Sequence, residues 1–190
     1  MLDAMDPALS AGATLARTPV PGSGMTAQPW EDPRGTCLLV PPPGLTPVPA
    51  EPRLHYSEGA GWSTTPDGHQ NQSRKQLWHF PVPVVYDESP SPFEFVASVA
   101  DVTNMVTNWG TEGLAFINAD VTLPLARLPA GEEVGLAATD HVEQDGIAVG
   151  TAVVYDREGA IGTAAVSAVA NAHRTLDLAK RVVSAEVSPS

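Results

Sequence analysis

The chain has 190 residues, a formal charge of −12 and a hydrophobic fraction of 43%, enough for one ordinary domain with sequence to spare. The acidic balance repels phosphate backbones and no basic stripe interleaved with aromatics offsets it, so nucleic acid is excluded as the expected partner, and no polybasic segment points to a membrane surface. A single cysteine, Cys37, excludes an internal disulfide and makes a reducing compartment the default; no apolar run is long enough to span a bilayer, and "MLDAMDPALSAGATLA" carries acids where a signal peptide carries bases, so the expected location is cytoplasmic.

Residues 1–60 read as a Pro-rich, mostly disordered N-terminal segment. Eleven of the nineteen prolines lie between Pro7 and Pro52, and "VPPPGLTPVPAEP" favours extended or polyproline II backbone. Only "GATLA" (12–16) and "TCLLV" (36–40) suit short strands. Cys37 has no nearby histidine and reads as an incidental thiol.

A folded domain is expected over 61–172. "QLWHFPVPVV" (76–85) suits a strand, with Pro81 and Pro83 placing it at an edge or bulge. Ser91, Pro92 and Glu94 form a helix start: an N-cap serine, proline at the first position and a glutamate that completes a capping box. Phe95, Val99, Val102, Val106 and Trp109 then repeat at steps of four and three, one apolar face of a helix about five turns long that Gly110 ends. Ala97, Asp101, Asn104 and Asn108 lie on another face, which solvent alone would explain.

Four strands follow, at roughly 114–127, 132–143, 147–155 and 160–171, joined by "LPAGE", "EQDG" and "DREG". Each link carries a glycine able to take positive φ, which makes the strands consecutive antiparallel neighbours. The first contains "FINADVTLPL", whose apolar residues alternate with Asn118, Asp120 and Thr122. Asn and Asp are poor strand formers, so the pair either faces water or lines a site. Residues 173–190 form a tail that begins with a helical turn or two. The class is α+β: a central helix wrapped by a curved antiparallel sheet of five to six strands.

That arrangement is the hotdog fold. "SPFEFVASVADVTNMVTNW", "FINADVTLPLARLPAGEEVGL" and "DGIAVGTAVVYDREGAIGTAAVSAV", in that order and spacing, resemble the C-terminal half of double-hotdog acyl-CoA thioesterases of the thioesterase II (TesB-like) type, over about residues 62–172. In that family two halves share one chain; here the first is missing or reduced to a remnant at "GATLARTPVP". The resemblance therefore implies a homodimer or a partnership with a second hotdog half, since a lone hotdog leaves a sheet edge unpaired.

The resemblance also implies hydrolysis of acyl-CoA to free acid and CoA by an activated water, with no cofactor and no metal. A helix aspartate acts as general base, a strand Thr or Asn and a last-strand Gln hold the water, and backbone N–H groups receive the oxyanion. These roles fall on Asp101 and Asn118. The Gln position falls at Val166 or Ser167; Ser167 can hold water by its hydroxyl and Val166 cannot. The alternative is a non-catalytic half that serves dimerisation or acyl binding. Against both stands the plain reading in which Asp101, Asn118, Asp120 and Thr122 face solvent.

Other constellations are weak. His55, His69, His79, His141 and His173 lack metal-ligand spacing, and His141 reads as a surface residue. Ser91 and Ser98 have no His–Asp support, and "GxSxG" is absent. Arg127 and Arg157 are candidates to meet CoA phosphates, with solvated arginines the plainer reading.

Overall fold

A computed structural model of the chain describes residues 30–31, 37–48, 51–83, 85–171 and 175–178. The strands expected at 12–16 and most of the C-terminal tail lie outside the described residues.

The helix begins as its sequence requires. Ser91 accepts from the Glu94 N–H, the Glu94 carboxylate accepts from the Ser91 N–H at 2.8 Å, and Pro92 opens α1 (Pro92–Ala100). The reciprocal bonds satisfy two donors that a helix start leaves free. One long helix does not follow. The chain tightens at Asp101–Val102, where the Val102 N–H bonds Val99 O at 3.0 Å, and resumes as α2 (Thr103–Asn108). The run "VTNMVTN" combines β-branched residues with asparagines, both weak helix formers. Phe95, Val96, Val99 and Val106 still bury one continuous apolar face.

Eleven strands are described: β1 (Trp30–Glu31), β2 (Cys37–Leu38), β3 (Arg53–Ser57), β4 (Gly61–Ser63), β5 (Lys75–His79), β6 (Trp109–Gly110), β7 (Gly113–Leu114), β8 (Phe116–Thr122), β9 (Val134–Gln144), β10 (Ile147–Asp156) and β11 (Gly159–Ala170). β1 pairs β2 and β6 pairs β7; the other seven form one antiparallel sheet in the order β4-β3-β5-β9-β10-β11-β8. A helix packed on this sheet is the expected hotdog fold, with seven strands in the main sheet where five to six were expected. The expected meander holds for β9, β10 and β11 only. Asp145 and Gly146 both take positive φ between β9 and β10, the two-residue turn whose twist suits a hairpin. β8 instead pairs with β11 at the sheet edge, so residues 123–133 cross from the edge to the centre rather than forming a hairpin.

The concave face and the helix share the main core: Leu77, Phe95, Val96, Val99, Val106, Leu136, Val154 and Ile161. Gly150 lets α2 approach, because a Cβ there would overlap the Thr107 side chain. The convex face carries a second core of Leu54, Trp78, Ala137, Val153 and Tyr155, capped by Leu38, Val40 and Leu45. Gln76 mimics a strand for that cap: its Nε2 donates to Cys37 O at 2.6 Å and its Oε1 accepts from the Leu39 N–H at 3.0 Å. Residues 37–48 and 51–57 therefore pack on or pair with this sheet. Their apolar side chains, not their prolines, decide this, since they cover apolar surface that would otherwise meet water.

Candidate active site

Asp101 and Asn118 meet. Asp101 caps α1 and continues its exposed side, clear of the core. Asn118 Nδ2 donates to the Asp101 carboxylate Oδ1 and lies 3.4 Å from the Asp101 carbonyl oxygen. Asn118 is half-buried and stands opposite Ala168, which is buried on the helix side of β11. An amide thus holds one carboxylate oxygen in place while the carboxylate remains open to solvent.

A bulge decides which neighbours join them. Between β8 and β11 the register shifts: Ala168 faces Asn118, but Ser167 faces Asp120, leaving Ala119 unpaired. Simple alternation would put Asn118 and Asp120 on one face. The extra residue turns Asp120 to the outer face and keeps Asn118 on the helix face. Ser167 goes with Asp120. It is exposed on the convex side, while Ala164, Val166 and Ala168 are buried on the concave side. Ser167 therefore does not join Asp101 and Asn118, and the helix-facing position beside it is Val166, which offers no hydrogen bond.

The family model that describes the acyl-CoA thioesterase C-terminal domain matches residues 24–169. The chain belongs to that family. No curated protein and no solved structure matches the chain.

Within this thioesterase domain, a buried polar chain runs beside Asp101 that sequence reasoning assigned to a solvated face. Asn104 and Asn108 are 4% and 8% exposed. Asn104 Nδ2 donates to Phe116 O at 2.9 Å, Asn108 Nδ2 donates to Asn104 Oδ1 at 2.6 Å, and His141 Nδ1 lies 2.8 Å from Asn108 Oδ1. His141 Nε2 lies 3.1 Å from Glu143. The chain ties α2 to the start of β8, two residues before Asn118, and so fixes the strand that carries Asn118. One signal for it lay in the sequence: Asp101, Asn104 and Asn108 fall at i, i+3 and i+7, a single helix stripe. Asn108 and His141 also line a polar cleft of about 450 Å³ with Asn71, Trp109 and Glu143.

A separate polar cluster supports the far end of the sheet. Lys75, 2% exposed, donates to Asn71 O at 2.8 Å, to Asn71 Oδ1 and to Ser73 O. Burial pulls its ammonium down to about 8. His69 bridges Ser57 Oγ at 2.9 Å and Ser63 Oγ at 2.8 Å. His55 is fully buried, with no hydrogen-bond partner for either ring nitrogen among the described residues, and burial first, then His69 and Arg53, drive its imidazole down to about 3. Ser57 is fully buried and therefore inaccessible as a nucleophile.

The two arginines considered for CoA phosphates are engaged elsewhere. Arg127 forks onto Asp156 at 2.6 and 2.7 Å, and Arg157 pairs with Glu133 at 2.6 Å while lying 5.3 Å from the Trp78 ring. Burial pushes the Asp156 carboxyl up, but Arg127 and the Ala130 and Glu158 N–H groups outweigh it and hold it below the usual range. Among the described residues no group of three His, Cys, Asp or Glu could hold a metal ion, and no helix is long and apolar enough to cross a membrane.

Proposed function

We propose that this thioesterase domain hydrolyses acyl-CoA with Asp101 as general base and Asn118 as its positioning amide. The observation that carries the reading is the hydrogen bond from Asn118 Nδ2 to an otherwise open Asp101 carboxylate. One carboxylate oxygen is held and the other is free to bind water. Asp101 takes a proton as the water oxygen attacks the thioester carbonyl. The tetrahedral intermediate then expels CoA as its thiolate, and the proton on Asp101 returns to that sulfur. The products are a carboxylic acid and CoA, and the base is restored. Asn118 contributes by fixing the carboxylate, since a base acts only within hydrogen-bond reach of its proton.

A second reading has its own support. Val166 stands where a third polar group would complete the water site, which suits a non-catalytic half that binds acyl groups or pairs with another hotdog unit. Among the described residues β8 is the last strand of the sheet, which suits pairing with a second copy or a second half. Cytoplasmic location is part of the same proposal and rests on the acidic, single-cysteine composition.

The test is free-thiol release from acyl-CoA by the wild type, Asn118→Leu and Ser167→Ala. The proposal expects Asn118→Leu to lose at least tenfold in kcat and Ser167→Ala to stay within twofold of the wild type. Dependence on Ser167 with indifference to Asn118 overturns the geometry, and no release by the folded wild type favours the second reading.

A further inference from the structure

The convex face of the sheet is covered in one part and bare in another. On β10, Val153 and Tyr155 lie buried under Leu38, Val40 and Leu45. Ile147 and Val149 belong to the same face by alternation and are 53% and 46% exposed. Register carries the bare part across four strands: Ile147 pairs Val169, Val169 pairs Ile117, and Val149 pairs Val142. These five exposed aliphatic side chains form one patch, and none of the described residues covers it. Asp120 and Asp140 share its face, Asp145 stands at the adjoining turn, and β8, β9, β10 and β11 carry no lysine or arginine.

After β11 the chain returns to this end of the sheet. The Asn171 N–H donates to Ala115 O at 2.8 Å, and Leu176 and Leu114 exchange two backbone bonds of 2.9 Å, just ahead of Ile117. Leu178 is buried, and the residues that follow it, "AKRVVSAEVSPS" (179–190), lie outside the described residues. We infer that residues 179–187 lie across the convex patch, with Val182 and Val183 on Ile117, Val169 and Ile147, and with Lys180 and Arg181 toward the acidic rim. The inference is independent of the role of Asp101.

Reach, charge and size select this occupant. The six residues from Leu176 to Val182 extend about 20 Å, and the patch spans about 14 Å across three strand spacings. Adjacent lysine and arginine followed by two valines match an apolar face rimmed by aspartates and empty of cations. A second copy of the chain, with a net charge of −12, would set those aspartates against their own kind, which opposes association. Four strands by about five residues also give a face of only about 300 Å², short of the roughly 800 Å² a side that a stable interface between proteins uses. A tethered strand-length segment needs no such area, because its binding is intramolecular.

The experiment follows tryptic cleavage after Lys180 and Arg181 by mass spectrometry, in the 190-residue protein and in a synthetic peptide of residues 176–190. The wild type should be cut at least tenfold more slowly than the peptide, since cleavage needs the segment to leave the patch. Val182→Asp combined with Val183→Asp should remove that protection from the segment side, and Ile147→Asp from the patch side. Val149→Ser, a milder change at an exposed position, tests the patch side if Ile147→Asp lowers the melting temperature. Cleavage of the wild type at the peptide's rate, or protection that survives both patch variants, overturns the inference. So does a dimeric mass for the wild type that becomes monomeric in Ile147→Asp, which would give the patch to a second copy.

Discussion

Lowering the pH from 7.5 to 5 should destabilise this fold through its buried histidines. His55 is fully buried and His79 is 5% exposed, both on the helix side of the sheet. Among the described residues neither His55 ring nitrogen has a hydrogen-bond partner, nor does His79 Nε2. Burial leads in depressing both, with Arg53 and the other histidines adding to it: His55 falls from 6.5 to about 3 and His79 lies well below its usual value. A depressed folded-state value means the unfolded chain binds more protons below 6.5, so stability is complete above that pH and drains away as pH falls. For His55 the loss reaches about 2 kcal/mol at pH 5, the cost of keeping neutral a ring that would be mostly protonated in water. It grows further until about pH 3, and His79 adds in the same direction. Against a typical stability of about 5–15 kcal/mol, even the His55 part lowers Tm by about 4–8 °C. The carboxylates held low, Glu94 and Asp156, act in the same direction but mainly below about pH 4.5. Thermal melts followed by circular dichroism from pH 7.5 to 5 measure the effect. His55→Leu should flatten the curve by about one proton's worth of slope. A Tm independent of pH over that range, or an unchanged slope in His55→Leu, would refute the reasoning.

Two further perturbations test the packing. Gly150→Ala forces a methyl into Thr107 and should cost about 1–3 kcal/mol by urea denaturation, since a well-packed layer yields poorly to added volume; a neutral result would mean that α2 sits less tightly on β10. Asp156→Ala removes the acceptor of four hydrogen bonds, two from Arg127 and one each from Ala130 and Glu158. With Arg127 partly exposed, the expected loss is about 2 kcal/mol at pH 7, and a difference under about 0.5 kcal/mol would contradict the assigned pairing.

Local rules carried much of the fold. The capping box at Ser91–Glu94, the apolar helix face and the turn at Asp145–Gly146 depend on neighbouring residues, and all three stand as the sequence implies. The place of β8 did not follow from such rules. Its partner, β11, begins 37 residues after the end of β8, and only tertiary packing selects it. The convex core failed to show for a similar reason: Leu38 and Leu45 sit among prolines, and their burial depends on Trp78 and Tyr155 far along the chain. Within the site, Asp101 stood out as the sole carboxylate between Glu94 and Glu112, and the family resemblance supplied Asn118 as its companion. Ser167 faces away from Asp101 and Asn118 by the alternation of β11, where Ala164, Val166 and Ala168 are buried, whereas the outward turn of Asp120 comes from a bulge in β8 that alternation alone does not reveal. Asn104 and Asn108 were hidden by polarity, which normally signals solvent and here signals a buried hydrogen-bonded chain.

The most direct test of the account compares thioester hydrolysis by the wild type and Asp101→Asn, followed as free thiol from decanoyl-CoA. Asparagine keeps the side-chain shape and removes the base. The account predicts thiol release well above background by the wild type and a fall of about 10²–10⁴-fold in the variant, with both proteins melting alike. Equal release by the two proteins would contradict it.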